Sequence, residues 1–422
     1  PIFSRRYHNV GNNEMRDCEY WIWLQNAYGT GAKIKPIIEY FGSARELYEA
    51  GSYEWRISGI IDQKHVDKLL LHSPSESGSI MRACEENGWE IITPQDEQYP
   101  FLLTQISDLP AVLYADGDIE TLMTESNIAM VGTRNASVQG IKVAGAIAQR
   151  LSLAGMTIVS GGALGIDAAS HEGALSVDKK TVAVLGCGLG TNYLKTNEDL
   201  RNRIKKNGVL ITEFPPFSQA SRISFPKRNR IISGMSLATV VVEAGEKSGS
   251  LITAKNALSQ GRRLYAVPGD LFSSAYSGTS EIINNGAKPL FNAREIVEDF
   301  MDEFPERFDL SLADEPFAIM LSRNAEDFSG NVNHTYNKRA EKTQSRVSKA
   351  DTEPVKSEPK PLPDTASETA KKIYAVLDGD TEFDTIVEKS GLNVVKVLSG
   401  ITELEMQGVI EVLPGRKYKK IQ

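Results

Sequence analysis

The sequence lacks most of what marks an extracellular, membrane-bound or metal-dependent protein. It has only three cysteines, Cys18, Cys84 and Cys187, far apart and without a CxxC pair. Neither a disulfide framework nor a zinc site of usual spacing is therefore expected, and a reducing cytoplasm fits. No apolar run approaches the ~18 residues that would cross a bilayer, so no membrane partner is expected. Arg5 and Arg6 are followed by polar residues rather than an apolar core, which is not the layout of a secretory signal. An excess of positive charge is missing too: the formal net charge is −8. Wholesale electrostatic adhesion to nucleic acid is thereby disfavoured, and any such binding has to come from a local basic cluster.

What is present is ordinary globular material, 41% hydrophobic and 24% charged, which argues against a disordered or fibrous chain. At 422 residues the chain is long for one compact unit, so a central domain with smaller appendages is expected. Residues 1–85 read as a small helical domain, with the glycine turn Tyr28-Gly-Thr-Gly-Ala32 leading into Ile34, Ile37, Ile38 and Phe41. A glycine turn, a helix, Phe41-Gly42-Ser43 and a second helix suit a helix-hairpin-helix or SAM-like unit. Such a turn holds either a DNA phosphate or only its own packing partners.

Residues 86–308 change to apolar strands alternating with amphipathic helices, the pattern of a doubly wound, mostly parallel Rossmann-like α/β sheet. Strands are predicted at Ile128–Val131, Thr157–Ser160, Thr181–Leu185, Val209–Thr212, Thr239–Val242 and Leu264–Val267. Residues 309–366 hold Pro354, Pro359, Pro361 and Pro363 among Lys, Glu, Ser and Thr, and read as a disordered linker. Residues 367–422 read as a winged helix: helices Glu368–Leu377, Phe383–Lys389 and Val394–Met406, then strands Val409–Val412 and Lys417–Ile421 around Pro414-Gly415.

Nearly all the unusual residues fall just after a predicted strand, on the binding edge of an open α/β sheet. Gly132-Thr133-Arg134 follows the first strand, and Ser137 is placed to cap the next helix, whose N-terminus is a seat for phosphate. Arg134 adds a fixed cation; phosphate contact is preferred there over a structural pairing with a carboxylate. Gly161, Gly162 and Gly165 supply a second backbone cradle after the second strand, and Gly186, Gly188 and Gly190 a third turn. Asp167 reads as a helix-start acid and His171 as a packed or exposed histidine rather than a general base. The first loop is not GxGxxG, and no acid follows the second strand to hold a ribose hydroxyl, so NAD is not expected. GxxxxGK[ST] is absent as well, leaving no visible apparatus for triphosphate hydrolysis; no cofactor is expected.

Between the fourth and fifth strands stand Arg222, Phe225, Lys227, Arg228, Asn229 and Arg230, four cations and an aromatic with no acid among them. Cations neutralise phosphates while Phe225 stacks on a base, the combination that single strands require. A solvated basic turn, or a site for an acidic protein, is the alternative. Ser248, Gly249 and Ser250 open a further helix after the fifth strand and offer another phosphate or base contact, while Gly269, Gly278 and Gly286 read as turn residues.

In order, Val131-Gly-Thr-Arg134, Ser160-Gly-Gly-Ala-Leu-Gly-Ile-Asp167, Phe225-Pro-Lys-Arg-Asn-Arg230, Glu243 with Ser248-Gly-Ser-Leu-Ile-Thr-Ala254, and Val267-Pro-Gly269 resemble the DNA-processing protein A family, also called Smf. The resemblance spans the central domain. It implies a homodimer, not known as an enzyme, that binds and protects incoming single-stranded DNA in natural transformation and loads a RecA-type recombinase onto it. It also implies DNA contacts at Arg134 and at a pocket of Lys227, Arg228 and Arg230. Two departures stand out: Leu164 where an arginine is common, which weakens one phosphate contact, and Leu194 after Tyr193 where proline is usual, which alters a turn.

Two rivals belong to other classes. A nucleoside-monophosphate phosphoribohydrolase of the lysine-decarboxylase-like group, similar in fold, needs carboxylates at the sugar, and Glu213 and Glu243 lie near the right edge; the Gly-Gly-x-Gly-Thr-x-x-Glu stretch typical of that group is absent. Both acids are equally open to structural pairing with the arginines. A transcriptional regulator would read DNA with the third helix of the winged helix, but Val394–Met406 carries only Lys396 as a cation beside Glu403 and Glu405. That is poor material for a major-groove reader, so a partner-contact or regulatory role is expected for this domain.

Overall fold

The structure is a computed structural model that describes residues 15–193, 195–313, 366–407, 409–413 and 417–421. Leu194, Pro414, Gly415 and the linker prolines Pro354, Pro359, Pro361 and Pro363 lie outside the described residues. The chain divides into two compact units.

The first unit opens with helices α1 (Asp17–Tyr28), α2 (Lys35–Phe41), α3 (Ala44–Ile57), α4 (Gln63–Leu71) and α5 (Gly78–Asn87). In α1 four consecutive residues, Trp21, Ile22, Trp23 and Leu24, are fully buried. A helix apolar on every side belongs at the centre of its group, and α1 packs on both α3 and α4. Its indoles keep their N–H groups satisfied: Trp21 donates to Gln95 Oε1 at 2.8 Å and Trp23 to the His72 carbonyl at 3.0 Å. These helices share one apolar core with a face of the sheet, reaching Tyr114, Val131 and Val184.

The sheet has nine strands, β1 (Glu90–Ile92), β2 (Leu113–Gly117), β3 (Asn127–Val131), β4 (Thr157–Ser160), β5 (Thr181–Val184), β6 (Gly208–Thr212), β7 (Ala238–Val241), β8 (Arg263–Ala266) and β9 (Lys288–Pro289), in the order β1-β2-β6-β5-β4-β3-β7-β8-β9. From β6 to β9 every pairing is parallel, whereas β1 and β2 add on antiparallel at one edge. Strands β3 to β7 are buried along their whole length, as their unbroken Val and Ile runs require of a sheet covered on both faces. The short helix α6 (Phe101–Thr104) precedes β2, and the crossover helices are α7 (Val138–Leu153), α8 (Ile166–Leu175), α9 (Glu198–Lys206), α10 (Ser224–Gly234) and α11 (Ser250–Ser259).

Six predicted strands match β3 to β8 to within a residue or so at each end. The three others were not anticipated: β1 and β9 are only three and two residues long, and β2 shows no alternation strong enough to stand out. Residues 309–313, expected as the start of the linker, are packed on the first unit, and residues 314–365 lie outside the described residues. Asp309 N–H donates to the Ala154 carbonyl at 3.1 Å, and Phe308 and Ala313 are buried in the core under α7.

The second unit holds helices Glu368–Val376, Phe383–Ser390 and Val394–Met406 with the strands Thr381–Glu382, Ile410–Leu413 and Lys417–Lys420 in one antiparallel sheet. Ala370, Ile373, Ile386, Val397 and Leu404 form its core, and the arrangement is a winged helix.

Candidate nucleic-acid interface

The chain leaves β3 towards β4 and leaves β7 towards β8, although β3 and β7 lie side by side. A crevice opens between two loops that depart in opposite directions, at the C-terminal ends of their strands. Thr133 N–H ties the loops together by donating to the Glu243 carbonyl at 2.8 Å. There is no room for a side chain at Gly132, where a Cβ would lie 2.5 Å from Ile166 and 2.8 Å from that same carbonyl. The resulting cleft has a volume of about 300 Å³. It is lined by Gly132, Thr133 and Arg134 from the loop after β3, by Ser248, Gly249 and Ser250 at the end of the loop after β7, and by Phe225, Arg228 and Asn229.

The two loops expected to cradle phosphate, and the two other glycine turns, have mostly internal duties. At the start of α7, Ser137 accepts from Gly140 N–H at 2.9 Å, as a cap should. The anion seat beside it is filled by the chain's own Glu243: Ser137 donates to it through N–H at 3.0 Å and through Oγ at 2.5 Å. An intramolecular carboxylate from the loop after β7 satisfies the dipole there, where a phosphate was expected. In the loop after β4, Gly161 offers its carbonyl to Arg228 Nη1 at 2.5 Å and Gly162 its carbonyl to Asn197 at 3.1 Å. Gly165 has φ +79°, and a Cβ there would strike the Thr133 carbonyl, so this glycine exists for close approach of two loops. Gly186 lies under the Phe225 ring, and Gly188 against the carbonyls of Pro215 and Pro216. The N-terminal glycine turn is likewise engaged, with Gly31 N–H donating to Glu213 at 2.9 Å.

The basic segment, expected as a stretch between strands, is largely the helix α10, and helical periodicity sorts its residues. Phe225 and Asn229, four apart, face the cleft. Lys227 and Arg230, three apart, face the N-terminal helices instead: Lys227 Nζ donates to the Thr30 carbonyl at 2.9 Å, and Arg230 pairs with Glu213 at 2.6 Å and Asp108 at 3.6 Å. The pocket of Lys227, Arg228 and Arg230 implied by resemblance is therefore not one pocket, and only Arg228 lines the cleft. Arg228 is itself 4% exposed and donates to the carbonyls of Gly161 and Val184. Burial lowers its pKa and raises that of Asp167, each opposed by the attraction between them. Arg222 precedes the helix and is exposed.

The exposed cation of the cleft mouth is Arg134, whose guanidinium lies 4.7 Å from the Phe225 ring centre. This cation–π contact holds a charge and an aromatic face side by side. Tyr193 packs on the same ring at 5.3 Å. Ile232, Ile252 and Thr253 also line the cleft; the last two lie in the motif Ser248–Ala254 but were given no contact role from sequence, and Ile232 was not named. Their signal is helical spacing, since Ile232 follows Arg228 by four and Thr253 follows Ser250 by three.

The carboxylates that a phosphoribohydrolase would require at the sugar are both committed, Glu213 to Arg230 and Gly31, and Glu243 to Ser137 and the start of α7. His171 is fully buried, with Nδ1 2.8 Å from Thr181 Oγ1. The Thr181 hydroxyl hydrogen goes to the Ile158 carbonyl, so Nδ1–H donates to Thr181. Burial pushes this imidazole down to about 3, and it stays neutral.

The family model of DNA recombination-mediator protein A matches residues 90–301, half of the chain. The chain belongs to this family. A second model, the DprA winged helix domain, matches residues 357–416. Relatives of the DNA recombination-mediator protein A family include the DNA processing protein DprA of Bacillus subtilis, 41% identical over 54% of this chain and 75% of that protein. Protein Smf of Synechocystis is 29% identical over 95% of this chain and 98% of its own length. Among solved structures, the X-ray structure of DNA processing protein A from Streptococcus pneumoniae aligns with a TM-score of 0.58 at 30% identity, covering 67% of this chain and 97% of that one.

Proposed function

We propose that the chain is a DNA processing protein that binds single-stranded DNA at the cleft between the loops after β3 and β7. The observation that carries this reading is the Arg134 guanidinium stacked on Phe225 at the cleft mouth. The guanidinium, held in place over the ring, answers a phosphate and presents its own outer face to an unpaired base, a combination suited to a strand whose bases are exposed. The buried Arg228 adds positive potential from below, in a wall where water screens it poorly. Arg222 extends the cationic surface beyond α10. Membership of the family and the names of its relatives support a role in DNA processing.

The finer reading is that the protein works as a homodimer in the cytoplasm, protects DNA entering in natural transformation and loads a RecA-type recombinase, without catalysing a reaction itself. Among the described residues, no helix is long and apolar enough to cross a membrane. The winged helix serves partner contact or regulation in this scheme.

Fluorescence anisotropy of labelled single- and double-stranded oligonucleotides across a salt series tests the cleft. Wild type should prefer the single strand, with log K falling against log salt by roughly 0.7 per neutralised phosphate. Arg134→Ala should lose affinity and part of that slope. Equal binding by wild type and variant would remove the cleft from consideration.

A further inference from the structure

The loop leaving β8 ends on the same sheet edge as the cleft, because β8 is the parallel neighbour of β7. It is firmly built. Phe272 N–H donates to Asp270 Oδ1 at 2.9 Å, Ser273 N–H to the Asp270 carbonyl at 3.0 Å, and Ser273 caps the short turn Ser274–Tyr276. The Tyr276 ring lies against Gly269, where any Cβ would collide with it, and its hydroxyl is near Ser137 and Glu243. Gly278 N–H donates to the Ala244 carbonyl at 2.8 Å, and Glu246 N–H to Ser277 Oγ at 3.0 Å. The far end of the loop is thus pinned to the same loops that form the cleft.

At the tip of this anchored loop Leu271 is 86% exposed and Phe272 99% exposed. Scattered exposed apolar residues are ordinary on protein surfaces. A fully exposed phenylalanine beside an exposed leucine, held outward by an Asp270 turn, is an apolar display that packing among the described residues does not use.

We propose that Phe272, with Leu271 beside it, is a second stacking platform for unpaired bases, receiving the strand as it runs out of the cleft past β7 and β8. The assignment rests on the single-strand reading above and extends it to a longer footprint. Continuity with the cleft argues for this occupant: the loops after β3, β7 and β8 succeed one another at strand spacings of roughly 4.8 Å, a distance one or two nucleotides bridge. The tip carries an acid, Asp270, and no cation. It therefore suits the face of a base rather than a phosphate.

The test is anisotropy with a labelled single-stranded oligonucleotide on the full chain, comparing wild type, Phe272→Ala and Phe272→Trp, with Arg134→Ala alongside and light scattering on each protein. Phe272→Ala should bind about 5- to 100-fold more weakly with an unchanged salt slope, and Phe272→Trp should restore affinity. An oligonucleotide with abasic sites should bind wild type and Phe272→Ala alike. If Arg134→Ala loses binding while Phe272→Ala equals wild type, the platform is refuted and the cleft stands. If Phe272→Ala changes the mass in solution and not the affinity, the tip is a contact between copies of the chain and the proposal falls. If wild type binds no single strand, both readings fall together. Because Phe272 is almost fully exposed among the described residues, the alanine variant should remain folded.

Discussion

Arg230 donates to Glu213 at 2.6 Å, and both side chains are buried where the N-terminal helices meet the sheet. Gln25 donates to the Glu213 carbonyl at 2.9 Å and Gly31 to its carboxylate, so the pair joins α1, the glycine turn after it, the end of β6 and α10. A cation that sequence placed on a DNA surface is a structural fastener.

Removing one partner leaves the other buried and uncompensated, which costs about 3–5 kcal/mol. Burial raises the Glu213 pKa against the pull of Arg230. Arg230→Met should therefore lower the urea midpoint strongly. The double variant Arg230→Met, Glu213→Leu should recover part of the loss. Equal midpoints for wild type and Arg230→Met would show that the pair contributes nothing.

Salt dependence should separate the cations of the basic segment. Arg222→Ala is expected to reduce the slope of log K against log salt by about 0.7 for single strands, as one lost phosphate contact does. Lys227→Met should leave the slope alone and shift stability, because its ammonium serves the Thr30 carbonyl. A slope that falls with Lys227→Met and not with Arg222→Ala would reverse the assignment.

Glu243→Gln tests the anion at the start of α7. Losing the charge there should cost roughly 1 kcal/mol of stability, read by thermal or urea denaturation. Release of free base from a panel of nucleoside monophosphates should stay at background for wild type and variant alike. Turnover by wild type that disappears in Glu243→Gln would establish the hydrolase instead.

His171 gives the pH dependence a sign. Its native pKa lies near 3, below the ordinary 6.5, so the unfolded chain takes up the proton first on acidification. The stability it contributes is complete above about pH 6.5 and drains away as pH falls towards 3, by up to about 1.4 kcal/mol per unit. Urea unfolding between pH 7 and 4.5 should show a steeper loss for wild type than for His171→Gln. Parallel curves would mean that the ring is hydrated in the native state.

Much of this was legible in the linear chain, and particular residues show why. The runs Ile128–Val131 and Thr239–Val242 are apolar without alternation, and glycine follows each closely, so a parallel sheet with loops gathered on one edge follows from local chemistry. Ordered motifs at those strand ends carried the family resemblance. The strands β1 and β9 escaped because three and two residues leave no period to read, and β2 because Leu113–Gly117 shows no alternation and ends in Asp-Gly.

The division of duty among the polar residues belonged to tertiary structure alone. Phe225, Lys227, Arg228, Asn229 and Arg230 are adjacent in the chain, and composition treats them as one basic cluster. Folded as α10, each successive residue turns by about 100°, so one face meets the cleft, one the sheet and one the N-terminal helices. Likewise the helix start at Ser137 is an anion seat by sequence. Whether a phosphate or the chain's own Glu243 occupies it depends on β7 lying beside β3, a pairing between residues a hundred positions apart that no local pattern specifies.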